Sequence, residues 1–94
     1  MRVHFTAPAR ADLESLGTYI SIHYPTITPR VEARIRAVIA HIEQWPESAP
    51  VVSHRPGVRM MPVGRYPYKI YYRVEGDRLE VLRIRHASQR PIGF

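Results

Sequence analysis

Cysteine is missing from this chain of 94 residues, and its absence excludes several kinds of chemistry at once. Without cysteine there can be no disulfide, no thiolate nucleophile and no zinc site of the cysteine type. Long apolar runs are missing as well: no stretch reaches the length of a membrane span, and the N-terminus lacks the apolar segment of a signal peptide. We therefore expect a cytoplasmic protein with one domain over residues 1–94, held together by packing alone.

Acidic residues are scarce relative to basic ones. Fourteen Lys and Arg stand against eight Asp and Glu, which gives a net charge of +6 and a pI near 10.3. The net positive charge favours association with an anionic partner. It does not distinguish nucleic acid from an acidic protein segment. Lys69 is the only lysine. The arginine bias suits bidentate recognition of carboxylates or phosphates, although a GC-rich genome would produce it without any function.

Motifs for metals and nucleotides are also absent from the sequence. The five histidines, at positions 4, 23, 41, 54 and 86, never fall at metal-ligand spacing. The glycine-containing tracts R-P-G-V-R and V-G-R-Y-P lack the layouts that cradle phosphates. We therefore expect neither a metal nor a cofactor.

Two amphipathic helices are predicted in the first half of the chain. Thr6 offers an N-cap hydroxyl for the first helix, which should end before Pro25. Thr28 offers the N-cap for the second, which should end at Pro46. The short linker between them predicts an antiparallel helical hairpin. The apolar stripes are Ala9, Leu13, Leu16, Ile20 and Tyr24 in the first helix, and Val31, Ile35, Val38, Ile42 and Trp45 in the second.

Four β-strands complete the pattern. The first is short, at residues Arg2–Phe5, and three more follow the helices, at residues 58–63, 68–74 and 79–86. Gly76 lies between the last two strands, where a tight turn would make them a hairpin. The order β-α-α-β-β-β predicts an α+β domain in which the helical hairpin packs on one face of a mainly antiparallel four-stranded sheet.

Tyrosines are concentrated in the tract Y-P-Y-K-I-Y-Y-R-V, which could form a stacking surface for nucleic-acid bases. Strand alternation favours a different interpretation, because it places Tyr68 and Tyr72 on the apolar face that receives the helices. Only Tyr71 is then left on the open face, among the cations Lys69 and Arg73. We therefore interpret the tract mainly as a packing strand.

The last predicted strand carries apolar residues on both faces, with Leu79 and Val81 on one side and Leu82 and Ile84 on the other. This pattern indicates either a central strand covered on both sides or a strand with a bulge. His86 ends the strand among arginines and is the best candidate for a general base, since its unperturbed pKa is near neutrality. It could equally be a strand-end residue that satisfies a loop carbonyl.

The chain resembles the RelE/ParE superfamily of toxins from bacterial type II toxin–antitoxin modules. The resemblance spans residues 3–90 and rests on the element order, on the opening F-T-A-P-A-R-A-D-L, and on the segment G-R-Y-P-Y-K-I-Y-Y-R-V-E-G-D-R-L-E-V-L-R-I-R-H. It implies a small basic toxin that forms a hetero-oligomer with a cognate antitoxin, whose acidic or amphipathic C-terminal part wraps the toxin.

The superfamily implies two alternative activities. A RelE-like member would be a metal-independent, ribosome-dependent mRNA endonuclease. Its phosphate ligands would come from Arg59, Arg65, Lys69, Arg83 and Arg85, with His86 as the base. The C-terminal tyrosine of that branch has no clear match here, because the chain closes with Phe94, whose ring has no hydroxyl.

The hairpin P-Y-K-I-Y-Y-R-V-E-G-D and the following V-L-R-I-R-H look closer to the ParE branch. This resemblance implies a toxin that acts by binding DNA gyrase and needs no catalytic residues, and we favour it. A plain nucleic-acid-binding module is the third hypothesis. The residues expected to contact the target or the antitoxin are Arg59, Lys69, Arg73, Arg83, Arg85, His86 and Arg90.

Overall fold

The computed structural model describes residues 1–89 and has the predicted element order. Four strands and two helices follow one another as β1 (Arg2–Phe5), α1 (Ala7–His23), α2 (Thr28–Gln44), β2 (Arg59–Pro62), β3 (Tyr68–Glu75) and β4 (Arg78–His86). The predicted strands agree with these within one residue at each end. Within this part of the chain, neither helix has the length and apolar character needed to cross a membrane.

The two helix starts differ from each other. Thr6 is the N-cap of α1, as predicted, and its hydroxyl oxygen accepts the N–H of Ala9 at 3.2 Å. The prediction for α2 was wrong by one residue: the helix begins at Thr28, and its N-cap is Ile27, which makes no side-chain cap bond. The hydroxyl of Thr28 instead donates back to the carbonyl of Tyr24 at 3.4 Å.

The sheet is mixed, with strand order β1-β4-β3-β2. β1 runs parallel to β4, and the other two pairings are antiparallel. The helical hairpin covers one face, where α1 and α2 contribute most of the predicted stripes to a single core. Leu13 was predicted to belong to this core but is 36% exposed. The side chains that fill this core from the sheet are fully buried: Val63, Ile70, Tyr72, Leu79 and Val81.

The last residue of each predicted helical stripe does not join the core. Tyr24 is 54% exposed and Trp45 is 57% exposed. Each is the C-cap of its helix, with φ of −141° and −130° respectively. Because the backbone leaves the helical path at these positions, the helical spacing no longer aims their side chains at the sheet. The prediction that they belong to the core was therefore wrong.

Tyr71 was predicted to lie on the open face among cations. It does lie on the face opposite the helices, but the side chain is buried there, so the predicted exposure was wrong. Tyr71 is 6% exposed and packs with Val58 in a second, smaller core, on the sheet face opposite the helices. The loop between α2 and β2 supplies part of this cover. Val52, Met60 and Leu82 complete the cluster.

A β-bulge explains why β4 shows apolar residues on both faces. Tyr71 pairs with Arg83 while the next residue, Tyr72, pairs with Val81, so Leu82 is the extra residue in β4. The bulge shifts the alternation by one position, and Ile84 reaches the main core although it is an odd number of residues beyond Val81. β4 is thus both a central strand and a bulged one.

β1 ends before β4 does, and α1 satisfies the part of β4 that β1 leaves uncovered. Thr6 donates its backbone N–H to the carbonyl of Val81 at 3.1 Å and its hydroxyl to the carbonyl of Leu82 at 2.9 Å. Asp12 of α1 then accepts the N–H of Ile84 at 2.9 Å. The first turns of α1 therefore take the place of a longer edge strand, and these three backbone groups of β4 all find partners.

The turn between β2 and β3 is held by an arginine from α2. Arg34 donates from Nε to the carbonyl of Val63 at 2.7 Å. Its guanidinium lies over Gly64, which has φ of +93°, and a Cβ added there would be 2.6 Å from a guanidinium nitrogen. Both the backbone conformation and the close approach require glycine.

We expect Gly64→Ala to destabilise the protein by about 1–2 kcal/mol, because the left-handed conformation penalises a Cβ and Arg34 must move. Gly17→Ala is the matched control: Gly17 lies within α1, and a Cβ added there would have no neighbour within 4 Å. Alanine should therefore stabilise that helix by about 0.5–1 kcal/mol through its higher propensity. Urea unfolding measures the change in unfolding free energy for both variants. Equal effects of the two substitutions would contradict the assigned role of Gly64.

Candidate partner-binding site

Two cations face each other across the open face of the sheet. Lys69 of β3 pairs in register with Arg85 of β4, on the side opposite the helices because their neighbours Ile70 and Ile84 belong to the main core. Like charges in directly opposite positions destabilise a sheet. Among residues 1–89, neither side chain takes part in an ion pair. We call these two residues the cationic row.

Arg85 has a second unusual feature. Its Nε is buried and has no hydrogen-bond partner among the residues that the structure describes. A buried donor without a partner costs free energy, about 1–3 kcal/mol and more for a charged group. The cationic row is therefore a place where a bound carboxylate or phosphate would remove an electrostatic repulsion.

Arg83, in contrast, is engaged inside the protein. Its Nε donates to Asp12 Oδ2 at 2.7 Å and a terminal nitrogen donates to Asp12 Oδ1 at 3.0 Å. These hydrogen bonds raise the pKa of Arg83, against the opposing effect of burial. Because the carboxylate and the guanidinium form a bidentate pair, Arg83 serves first to join α1 to β4.

Arg73 is also paired, through Glu80. Arg73 Nε donates to one carboxylate oxygen of Glu80 at 3.0 Å, and Arg78 donates to the other at 3.1 Å. Glu80 is only 7% exposed. The hydrogen bond from Arg73 is the main cause that lowers the pKa of Glu80, and the charge of Arg78 adds to it against the effect of burial. This cluster lies at the other end of the open face from the cationic row.

Arg59 anchors the loop that follows α2. It donates to the carbonyl of Ala49 at 2.7 Å, and the hydroxyl of its cross-strand neighbour Tyr72 donates to the carbonyl of Pro46 at 2.8 Å. Burial raises the pKa of Tyr72. Arg59 shares the helix-facing side of the sheet with Tyr72, so the structure separates it from the cationic row.

His86 lies on the helix-facing side as well, in a cleft of about 550 Å³ between α1 and the end of the sheet. Its Nδ1 accepts the backbone N–H of Ser88 at 3.0 Å, and its ring meets the ring of Tyr68 edge-on at 5.5 Å. With Nδ1 accepting a hydrogen bond, the neutral ring carries its proton on Nε2. The ring can then donate from Nε2, and its basic nitrogen is the one that accepts the N–H of Ser88.

Three further residues named in the sequence analysis are Arg65, Arg90 and Phe94. Arg65 is exposed in the turn between β2 and β3. Arg90 and Phe94 lie outside the described residues. Within residues 1–89, no three His, Asp or Glu side chains are grouped so that they could hold a metal ion. Among the described residues of the set predicted to contact a partner, the structure places Lys69 and Arg85 directly opposite each other without an ion pair.

Two residues of the site region were missed by sequence reasoning: Asp12 and Glu80. Nothing in the sequence links Asp12 to a strand 71 positions away. Glu80 carried a weak signal, since it is an acidic residue between Leu79 and Val81, and an acidic position next to core residues needs a cationic partner.

Fold and site together define a class of protein: a small basic α+β domain whose helical hairpin covers one sheet face and whose other face exposes a cationic row. The sequence model of one family, described as "ParE toxin of type II toxin-antitoxin system, parDE", matches residues 3–91. The chain therefore belongs to this ParE toxin family. The superfamily resemblance, and its closer likeness to the ParE branch, are confirmed.

Individual relatives agree with this assignment. The chain is 32% identical over 93 residues to a protein of Sinorhizobium fredii named "Putative toxin Y4kP", covering 95% of this chain and 91% of the relative. The structure of the present chain is similar to a solved chain titled "Chromosomal ParDE TA system from P. aeruginosa". That match has a TM-score of 0.79 and 26% identity, and it covers 94% of this chain and 97% of the other.

Glu80 predicts a specific pH dependence of stability. Because its pKa is lower in the folded state than its ordinary value of 4.5, the ionised carboxylate stabilises the fold above that value, and the contribution is lost as the pH falls through the folded pKa. We expect Glu80→Gln to flatten the loss of unfolding free energy as the pH falls below 4.5. Glu32→Gln, at an exposed position on α2 outside this cluster, is the control. Parallel pH profiles for wild type and Glu80→Gln would refute this role.

Proposed function

We propose that this chain is a growth-inhibiting toxin that acts by binding DNA gyrase, and that a cognate antitoxin neutralises it by covering the cationic row. Membership of the ParE family supports a toxin of this kind. The similarity to a chain from a ParDE system supports an antitoxin partner, because its title names a toxin–antitoxin pair. The resemblance to the ParE branch is the ground for gyrase as the target.

The observation that carries the antitoxin part is the unpaired state of the cationic row in residues 1–89. A carboxylate placed between Lys69 and Arg85 would offset the repulsion between these two cations. Hydrogen bonds to charged groups contribute about 1.5–3 kcal/mol each. An acidic segment of the antitoxin supplies such carboxylates, and the net charge of +6 favours its approach.

The side chains proposed for a RelE-like nuclease give less support to catalysis. Arg59 is occupied with the loop after α2, Arg83 is occupied with Asp12, and His86 uses Nδ1 to accept the N–H of Ser88. Lys69 and Arg85 form no ion pair in residues 1–89, but they lie on the sheet face opposite His86. Phosphoryl chemistry requires free cations and a free base around one phosphate. A toxin that acts by binding needs neither, and cleavage of ribosome-bound mRNA is therefore the competing outcome of the test.

The test is a supercoiling assay with purified gyrase and free toxin, run beside a translation assay in which mRNA cleavage is followed. We expect supercoiling to be inhibited and mRNA to stay intact, with added antitoxin restoring gyrase. Unchanged gyrase activity at saturating toxin would refute the proposal that gyrase is the target. Cleaved mRNA in the same preparation would then favour the nuclease.

Arg85→Ala tests the role of the cationic row in the same experiment. We expect antitoxin affinity to fall by about 10-fold or more. The unfolding free energy should not decrease, because the substitution removes a repulsion and an unsatisfied donor. Arg30→Ala on the exposed side of α2 removes the same charge away from the row and serves as the control. Equal losses for both variants would indicate that only net charge matters.

A further inference from the structure

The two edges of the sheet are protected to different degrees. At the β2 edge, the segment before the strand folds over it: the N–H of Met60 donates to the carbonyl of Pro50 at 3.2 Å, and Val51 forms an antiparallel bridge with Arg59. At the β1 edge, no further strand pairs within residues 1–89. β1 also contains no proline, lysine or bulge of the kind that commonly guards a sheet edge.

β1 turns the backbone groups of two residues away from the sheet. Arg2 and Thr6 donate their N–H groups to carbonyls on the β4 side, at 2.9 and 3.1 Å. Alternate residues of a strand direct their backbone groups to opposite sides. The N–H and C=O groups of Val3 and Phe5 therefore point outward, and no backbone hydrogen bond of residues 1–89 outside the β1–β4 ladder reaches them.

The helical wall beside this edge carries one charge of each sign. A groove of about 520 Å³ lies between β1 and α1, and its helical wall is formed by Arg10, Leu13 and Glu14. Arg10 and Glu14 are both exposed, and neither takes part in an ion pair within residues 1–89. A surface with one cation, one apolar side chain and one anion can match a copy of itself, as a two-fold symmetric interface requires.

We propose that two copies of the free chain pair antiparallel through β1, about a two-fold axis at His4, and so join two four-stranded sheets into one. In this register Val3 of each copy lies opposite Phe5 of the other, and each such pair exchanges both of its backbone hydrogen bonds. A register centred on Val3 would instead place Arg2 opposite His4 twice, which sets a cation against an imidazole. The inference goes beyond the proposed function, because it needs neither gyrase nor an antitoxin.

The symmetry brings the two grooves face to face. The two-fold axis between antiparallel strands is perpendicular to the sheet, so both helical hairpins lie on one face of the joined sheet and both cationic rows on the other. Arg10 of each copy is then on the wall opposite Glu14 of the other, with the half-exposed Leu13 side chains between them. Since β1 has only four residues, the interface is small, and we expect a dissociation constant of about 0.1 mM.

The absence of cysteine makes a site-specific cross-link possible. His4→Cys would place the two thiols at a non-hydrogen-bonded pair, whose Cα atoms are about 4.5 Å apart, within the range of a disulfide. Arg2→Cys is the matched control: it is exposed on the same strand, but its two copies would be four residue steps apart, about 13 Å. After mild oxidation of the purified chain, we expect His4→Cys to be mostly dimeric on a non-reducing gel and Arg2→Cys to be mostly monomeric.

Charge reversal tests the same dimer without a cross-link. Glu14→Arg leaves only cations on the groove wall and Arg10→Glu leaves only anions, so each variant alone should dimerise at least about 5-fold more weakly than the wild type. An equimolar mixture of the two should recover the wild-type affinity, because a cationic wall then faces an anionic one. Analytical ultracentrifugation measures the dissociation constants, and circular dichroism checks that these variants at exposed positions fold.

Three results would overturn the proposal. The first is a wild-type chain that stays monomeric at about 1 mM, ten times the expected dissociation constant. The second is equal cross-linking of His4→Cys and Arg2→Cys, which random collision or another register would produce. The third is a mixture of the charge-reversed variants that associates as weakly as each variant alone. None of these results bears on gyrase inhibition or on neutralisation by an antitoxin, which the supercoiling assay measures separately.

Discussion

The rest of the sheet depends on the contacts that the carboxylate of Asp12 makes with β4. This carboxylate accepts the N–H of Ile84 and the bidentate guanidinium of Arg83 at the point where β1 has ended and β4 carries its bulge. Without a neighbouring strand, this part of β4 has no other partner for that N–H among the described residues. A helix residue thus fixes the bulge, and the bulge decides which side chains beyond it face the core and which face outward.

The charges of the protein follow from that arrangement. Beyond the bulge, Ile84 joins the main core and Arg85 turns to the open face opposite Lys69. Two other arginines of the sheet are matched internally: Arg83 by Asp12, and Arg73 by Glu80. The excess of basic residues on the sheet is therefore not spread evenly. On the open face of β3 and β4, Lys69 and Arg85 form no ion pair with the described residues, and such a pair of cations suits an acidic partner.

The sequence predicted the architecture because most of it is encoded locally. The helical stripes, Thr6 as an N-cap and the turn at Gly76 each depend on residues a few positions apart. The larger misses have a common cause, since each depends on long-range contacts. Tyr71 is covered by a loop that alternation cannot place, and the bulge was one of two alternatives that periodicity left open. The pairing of Asp12 with Arg83 spans 71 positions, and so spacing could not predict it.

The most direct test of this account is a double-mutant cycle between Asp12 and Arg83, followed by urea unfolding of Asp12→Ala, Arg83→Ala and the double variant. We expect a coupling energy of about 1–3 kcal/mol. Asp12→Ala should also be the more destabilising single change, because it leaves the N–H of Ile84 unpaired as well as the guanidinium. Additive effects within about 0.5 kcal/mol, with both single changes equally mild, would contradict the claim that this contact holds β4 in place.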